Sequence, residues 1–221
     1  MAAAVDKAYL NIREGIIQGR FAPGSHITAQ GLAEASGLSR TPVREAMRRL
    51  HAEGLIEFIP HRGAFVARID EKEIYNIYDL RVVLEGYAAS AAARNVTSTQ
   101  LVELQRIAEE MRELVELNTS TLAERLSGIN NEFHKLVVSA AHNSRLQAAL
   151  ASIVEVPLVL RTFRRYDQEA LRRSAIQHME IVSALRAHDP EWARSVMASH
   201  ILSAQHTLLN AAPPETEGSG P

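Results

Sequence analysis

The chain has no cysteine among its 221 residues. That excludes a disulfide framework, a thiolate metal site and a cysteine nucleophile. Aromatic residues amount to 5%, with a single tryptophan. The apolar share is 46% against 23% charged, values of a soluble globular chain, and its richness in alanine and leucine favours helix. No apolar run approaches the roughly 20 residues that span a bilayer. The opening MAAAVDKAYL lacks the basic-then-apolar order of a secretory signal. A cytoplasmic protein with no membrane partner is the expectation. A strong charge of one sign is missing too: the net charge is −2. Residues 1–70 hold nine basic against seven acidic residues, and residues 71–221 hold fifteen against nineteen. That contrast decides nothing, but clustering does count, and four arginines fall between positions 40 and 49.

The length allows one large domain or two modest ones. Residues 5–18 carry apolar positions at helical spacing up to Gly19, and FAPGSHI reads as a turn around Pro23-Gly24. A short helix starts from Thr28 as its cap and stops at Gly37. A longer one runs from about 40 to 53, with Ser39 or Thr41 as cap and Pro42 in its first turn. The period then changes: LIEFI and AFVARI are β-prone runs joined by PHRG, a hairpin. Helix, helix, turn, helix, hairpin is the order of a winged helix-turn-helix. From Glu71 onward no strand signal remains. Six helical segments are expected at 71–94, 98–117, 120–142, 145–165, 168–187 and 190–211, separated by short polar breaks. Such lengths and connections indicate an antiparallel helical bundle. The expected organisation is mainly α: a DNA-binding domain over 1–70, a helical domain over 71–212 and a disordered tail over 213–221, where the sequence is PETEGSGP preceded by proline.

In the third helix, Val43, Ala46, Met47 and Leu50 form one stripe, suited to packing on the preceding helices. About a third of a turn away, Arg40, Arg44, Arg48 and His51 line up, with Thr41 alongside. A row of long cations on the second helix of the motif suits a recognition helix, whose first residues meet base edges in the major groove. Arginine can bond two guanine acceptors at once. Arg40 and Arg44 are therefore assigned to base or near-base contacts, Thr41 to their support, and Arg48 to a phosphate or a local acid. In the wing, His61, Arg62 and Gly63 can lie against the DNA backbone, the glycine permitting close approach. The alternative is a basic helix face with no partner.

Three histidines fall on inward faces of three helices. His178 is centred among Leu171, Ala175, Ile181, Val182 and Leu185, and His200 among Ala193, Val196, Met197 and Ala204. His134 flanks the stripe of Leu126, Phe133, Val137 and Ala140, and Asn130 precedes it by one turn. Any one of them alone reads as a packed core histidine. Together they pose a problem, because each buried imidazole needs partners for both nitrogens and an apolar bundle supplies few. A divalent cation, zinc, nickel or similar, satisfies several at once. Spacing does not establish that the three helices meet.

The segments IREGIIQGRFAPGSHI and LAEASGLSRTPVREAMRRLHAEGLIEFIPHRGAFVARI closely resemble the N-terminal domain of bacterial GntR-type transcriptional regulators over about residues 8–69. The resemblance implies operator contacts by Arg40, Thr41 and Arg44, with Gly63 at the wing. It departs at Gln30, where relatives carry a charged residue; a glutamine there can still bond a phosphate. Residues 71–211 resemble the FCD class of GntR C-terminal domains through IYDLRVVLEGYAASAAA, NNEFHKLVVSAAHNSRL and HMEIVSALRAHDPEWARSVMASHI. That class implies a helical bundle holding a small effector, with His134, His178 and His200 as ligands of a divalent metal and Asn130 as the fourth. Aspartate is commoner at that position, and an amide oxygen brings no charge. His142 stands where glycine is frequent. Arg81 matches the family arginine that holds effector carboxylates; its alternative is a salt bridge to Glu85 one turn on.

Three functions follow as expectations. The first is a homodimeric regulator, a repressor, that binds double-stranded operator DNA and senses a small carboxylate through a metal-centred bundle. The second is a regulator whose metal is structural or is itself the signal. The third is a metal-dependent enzyme with a DNA-binding appendage, against which stands the absence of an HExxH arrangement.

Overall fold

The computed structural model describes residues 2–17, 19–68, 71–117, 119, 121–153 and 156–210. The expected disordered tail lies outside the described residues. The chain divides into two compact units, Met1–Asp70 and Glu71–Pro221.

The first unit contains α1 (Ala2–Ile17), β1 (His26–Ile27), α2 (Ala29–Ser36), α3 (Arg40–Ala52), β2 (Ile56–Ile59) and β3 (Gly63–Val66). Thr28 caps α2, its hydroxyl accepting from the Gly31 amide at 3.0 Å, and Gly37 ends the helix in the left-handed region at φ 66°. Ser39 occupies the cap position of α3 but makes no side-chain cap bond. The stripe Val43, Ala46, Met47 and Leu50 is buried and packs with Ile12, Leu32 and Ile56 into one core. Each such side chain contributes roughly 1.5–3 kcal/mol by leaving water. The expected hairpin is present as β2 and β3, and β1 extends the sheet beyond it. The sheet has three antiparallel strands in the order β1-β3-β2, with His26 opposite Phe65 and Ile56 opposite Val66. Sequence reading took FAPGSHI for a turn because two paired residues are too few to show an alternation.

The second unit is a bundle of α4 (Glu71–Asn95), α5 (Ser98–Val115), α6 (Leu122–Ala140), α7 (Ser144–Ile153), α8 (Val156–Arg165), α9 (Gln168–Arg186) and α10 (Pro190–Asn210). Side chains define most starts. Thr97 and Gln100 form a capping box on α5. Asp167 accepts from the Ala170 amide at 2.7 Å on α9, and Asp189 accepts from Trp192 at 3.0 Å on α10. Over the expected helix 145–165 the described residues form α7 and α8, on either side of residues 154–155, with Pro157 in the first turn of α8. A proline has no N–H to donate and crowds the carbonyl four residues back, so it is tolerated there and not in mid-helix. Among the described residues no helix is long and apolar enough to cross a membrane.

His142, just past the end of α6, has φ 52°. This explains why glycine suits the position: a side chain there crowds the backbone in the left-handed region. His142→Gly is expected to raise stability by about 0.5–1 kcal/mol, read from chemical denaturation midpoints at unchanged slope.

Candidate functional site

The first candidate surface lies on α3 and the β2–β3 hairpin. Arg40, Thr41 and Arg44 are exposed at the start of α3, and among the described residues none of them is held in an ion pair or side-chain hydrogen bond. Arg48 pairs with Glu45 at 3.3 Å, both side chains largely exposed, the local acid that the sequence left open. Such a pair is weak and can exchange for a phosphate. His51, although on the arginine row by angle, turns away: its Nδ1 lies 2.7 Å from the Ile56 carbonyl. Gln30 donates to Glu34 at 3.1 Å.

His61 sits at the hairpin turn with φ 62°, and Gly63 has φ 100°. The Arg62 guanidinium lies 5.5 Å from the centre of the Phe65 ring. Gly63 is demanded by the fold itself, because a Cβ there would lie 2.7 Å from Nε2 of His26 in addition to the backbone strain. Between α3 and the wing runs a concave surface of about 400 Å³, its lining including Arg44, Arg48, His26 and Gly63.

The second candidate site is inside the bundle. His134 on α6, His178 on α9 and His200 on α10 are all buried, and one ring nitrogen from each lies within 4.8 Å of the others. Ring centroids are 4.4 Å apart for His178 and His200 and 5.3 Å for His134 and His200. Phe133 closes one side, edge-on to His178 at 4.7 Å. Each ring is oriented through Nδ1. That of His134 donates to Oε2 of Glu85 at 2.5 Å, that of His178 to the Ser174 carbonyl at 2.7 Å, and that of His200 to Oε1 of Gln177 at 3.2 Å. These acceptors require the proton on Nδ1 and leave Nε2 with its lone pair. The Nε2 atoms of His134 and His178 are buried without any hydrogen-bond partner.

For His178 and His200 the electrostatics agree with that tautomer. Burial pushes the His178 imidazole down to about 3, and the neighbouring His134 adds to the effect. Burial likewise holds His200 well below its ordinary value, with His178 and His134 reinforcing it. Neutral imidazole is the form that ligates a metal. Burial alone would raise the Glu85 carboxyl, but Arg81 and then His134 outweigh it and hold the group down at about 2. Burial works against the charge of Arg81, and Glu85 again more than offsets it. The two meet at 2.7 Å, both almost fully enclosed. Arg81 also stands over the Tyr78 ring at 4.8 Å, and Tyr78 is tied by its hydroxyl to Thr162 at 2.9 Å.

Asn130 is buried one turn before His134 and borders two spaces. One is a cavity of about 520 Å³ bounded by α4, α6 and α7, which Arg81 and His134 also line. The other is a pocket of about 20 Å³ that Arg81 and His200 share with it. The structure thus brings Arg81, Asn130, His134, His178 and His200 to one place. For Arg81 it realises the salt bridge while leaving the side chain on the cavity wall. Sequence reading missed Glu85 as the partner of His134, and Gln177 and Ser174 as the orienting groups. The signal for Glu85 was its place on the face of α4 shared with Tyr78 and Arg81.

Two protein-family models match the chain: "Bacterial regulatory proteins, gntR family" over residues 4–66 and "FCD domain" over residues 76–203. A probable D-xylose utilization operon transcriptional repressor of Paenarthrobacter nicotinovorans is 34% identical over 187 residues, covering 84% of this chain and 80% of that one. An Nta operon transcriptional regulator of Aminobacter aminovorans is 29% identical, covering 82% and 83%. The fold matches the solved structure of E. coli McbR/YncC with a TM-score of 0.74 over 95% of this chain and 98% of that one, at 23% identity.

Removing the Glu85 carboxylate strands a buried guanidinium and leaves the His134 Nδ1–H without an acceptor. Glu85→Ala is therefore expected to destabilise the protein by about 3–5 kcal/mol, measured by urea unfolding.

Proposed function

The chain belongs to the GntR family of bacterial regulatory proteins and carries an FCD domain, and from that premise we propose that it is a homodimeric repressor released by a small carboxylate bound at a metal-centred site. That it is a DNA-binding transcriptional regulator, of a family that is not enzymatic, follows from the membership. The repressor sign takes support from the relative described as a repressor. The dimer suits a two-fold operator read by two copies of one recognition helix.

For DNA, the supporting observation is the set of exposed, unengaged side chains at the start of α3. Arg40 and Arg44 would read base edges with Thr41 beside them, while Arg48, His61, Arg62 and Gln30 would meet phosphates, with Gly63 letting the wing come close. For sensing, the observation that carries the reading is the pair of buried, partnerless Nε2 atoms in a cluster of three imidazoles. The donor set fits a divalent ion of the zinc or nickel type: three imidazoles and the Asn130 amide oxygen, with the imidazoles oriented from behind by Glu85, Ser174 and Gln177. A cation held there supplies positive charge and open positions for oxygen ligands. Since none of these four ligands is charged, the full +2 stays available to an anion. The Arg81 guanidinium, on the same cavity wall, would clamp the carboxylate from the other side. Binding changes operator affinity only by the difference in effector affinity between the two states of the protein.

A second reading, a metal that is structural or is itself the signal, draws on one observation: Arg81 already has a carboxylate at 2.7 Å. A thermal-shift screen separates the two. Zinc- or nickel-loaded protein is expected to gain several degrees with small carboxylates while stripped protein does not. His178→Ala should lower the metal retained after desalting from about one ion per chain to near zero, by elemental analysis. Stabilisation by carboxylate in the absence of metal would overturn the metal-centred site. In a mobility-shift assay on the protein's own upstream DNA, Arg40→Ala combined with Arg44→Ala should abolish the specific band and leave weak, salt-sensitive binding.

A further inference from the structure

The cavity beside the histidines is larger and more charged at one end than a simple monocarboxylate requires. Its volume is about 520 Å³, and its ionisable lining is Arg81, Glu85, His134 and Lys135. Arg81 and Glu85 cancel each other across 2.7 Å. Lys135 is exposed, and among the described residues it is held in no ion pair or side-chain hydrogen bond. It is the uncompensated charge of that wall.

Its position is set by the pitch of α6. Asn130 and His134, four residues apart, form an inner buried row. Asn131 and Lys135, displaced by one residue, form an outer row turned by about 100° around the helix. Both rows line the same cavity, and Gln147 of α7 lines it too. An ammonium and two primary amides on α6 and α7 are hydrogen-bond donors additional to the Arg81–Glu85 pair of α4. Leu150 and Ala151 also line the space, which offers apolar surface for a short carbon skeleton.

We infer that Lys135, supported by Asn131 and Gln147, is a second anion anchor, so that the effector is a bifunctional acid with one carboxylate at the Arg81 and His134 end and a second anionic group, carboxylate or phosphate, at Lys135. The inference rests on the carboxylate-sensing reading above and specifies its ligand class. It also assigns a role to the positive charge: the unpaired lysine and a cation in a neutral ligand set are two separate positive centres, each met by one anionic group.

Isothermal titration calorimetry on the full-length, zinc-loaded protein tests it with four probes: butyrate, succinate, glutarate and 3-phosphoglycerate. One or more of the bifunctional acids is expected to bind about five- to tenfold more tightly than butyrate, the scale of a partly exposed charge pair. Preference for succinate or glutarate assigns the outer end to carboxylate, and preference for 3-phosphoglycerate assigns it to phosphate. Lys135→Gln should reduce the advantage to less than about twofold while leaving butyrate affinity unchanged, and Lys135→Arg should keep it. Unliganded melting curves check that both variants are folded. If butyrate binds as tightly as the bifunctional acids, or if Lys135→Gln keeps the preference, Lys135 is a solvated lysine and the inference fails alone. If none of the four probes binds the wild-type protein, the carboxylate reading fails and takes this one with it.

Discussion

The helical unit depends on one buried carboxylate shared between two partners. Glu85 receives Arg81 on one oxygen and His134 on the other. A guanidinium enclosed this completely is sustainable only beside an opposite charge, so Glu85 is what allows Arg81 to face the cavity at all. The same carboxylate fixes the proton of His134 on Nδ1, turning the other nitrogen toward His178 and His200. The bundle is organised to keep that arrangement. α4 carries Arg81 and Glu85 and packs along α10, which carries His200, while α6 brings His134 against α4. The centre therefore ties two helices of the cavity wall, α4 and α6, to α9 and α10 behind them, and a shift of α4 would move Arg81 and the histidine orientation together.

The DNA-binding unit follows the opposite rule. Arg40, Thr41 and Arg44 are exposed and, among the described residues, unengaged, the state in which a cation costs least to bring to a polyanion. What is fixed there is the backbone: the left-handed Gly63, the strand pairing of His26 with Phe65, and the apolar stripe of α3 that aims the arginines outward. Order is thus invested in side chains around the buried histidines and in main chain around the exposed arginines.

How much of this was legible in the sequence depends on range. Stripes such as Val43-Ala46-Met47-Leu50 and Leu171-Ala175-Ile181-Val182 repeat within one helix, so periodicity alone placed them in the core, and the three histidines with them. The convergence of those histidines, and the bond from His134 to Glu85 across 49 positions, have no local pattern to betray them. His51 shows the limit of the helical-wheel argument: its angle matches the arginines, but a nearby carbonyl captures the ring. The strand β1 is too short to leave a trace.

Within the cavity wall α7 has a duty of its own. α7, only ten residues long, gives Gln147, Leu150 and Ala151 to the cavity and contributes none of the histidines, Arg81, Glu85 or Asn130. It seats on the rest through small aliphatic contacts, Leu146 and Leu150 against Ala88, Ala91 and Ala141. The molecule is therefore built like a lock with a removable tumbler. Substitutions within this one short helix would recut the outer lining of the cavity while leaving the histidine cluster and the Arg81–Glu85 pair in place.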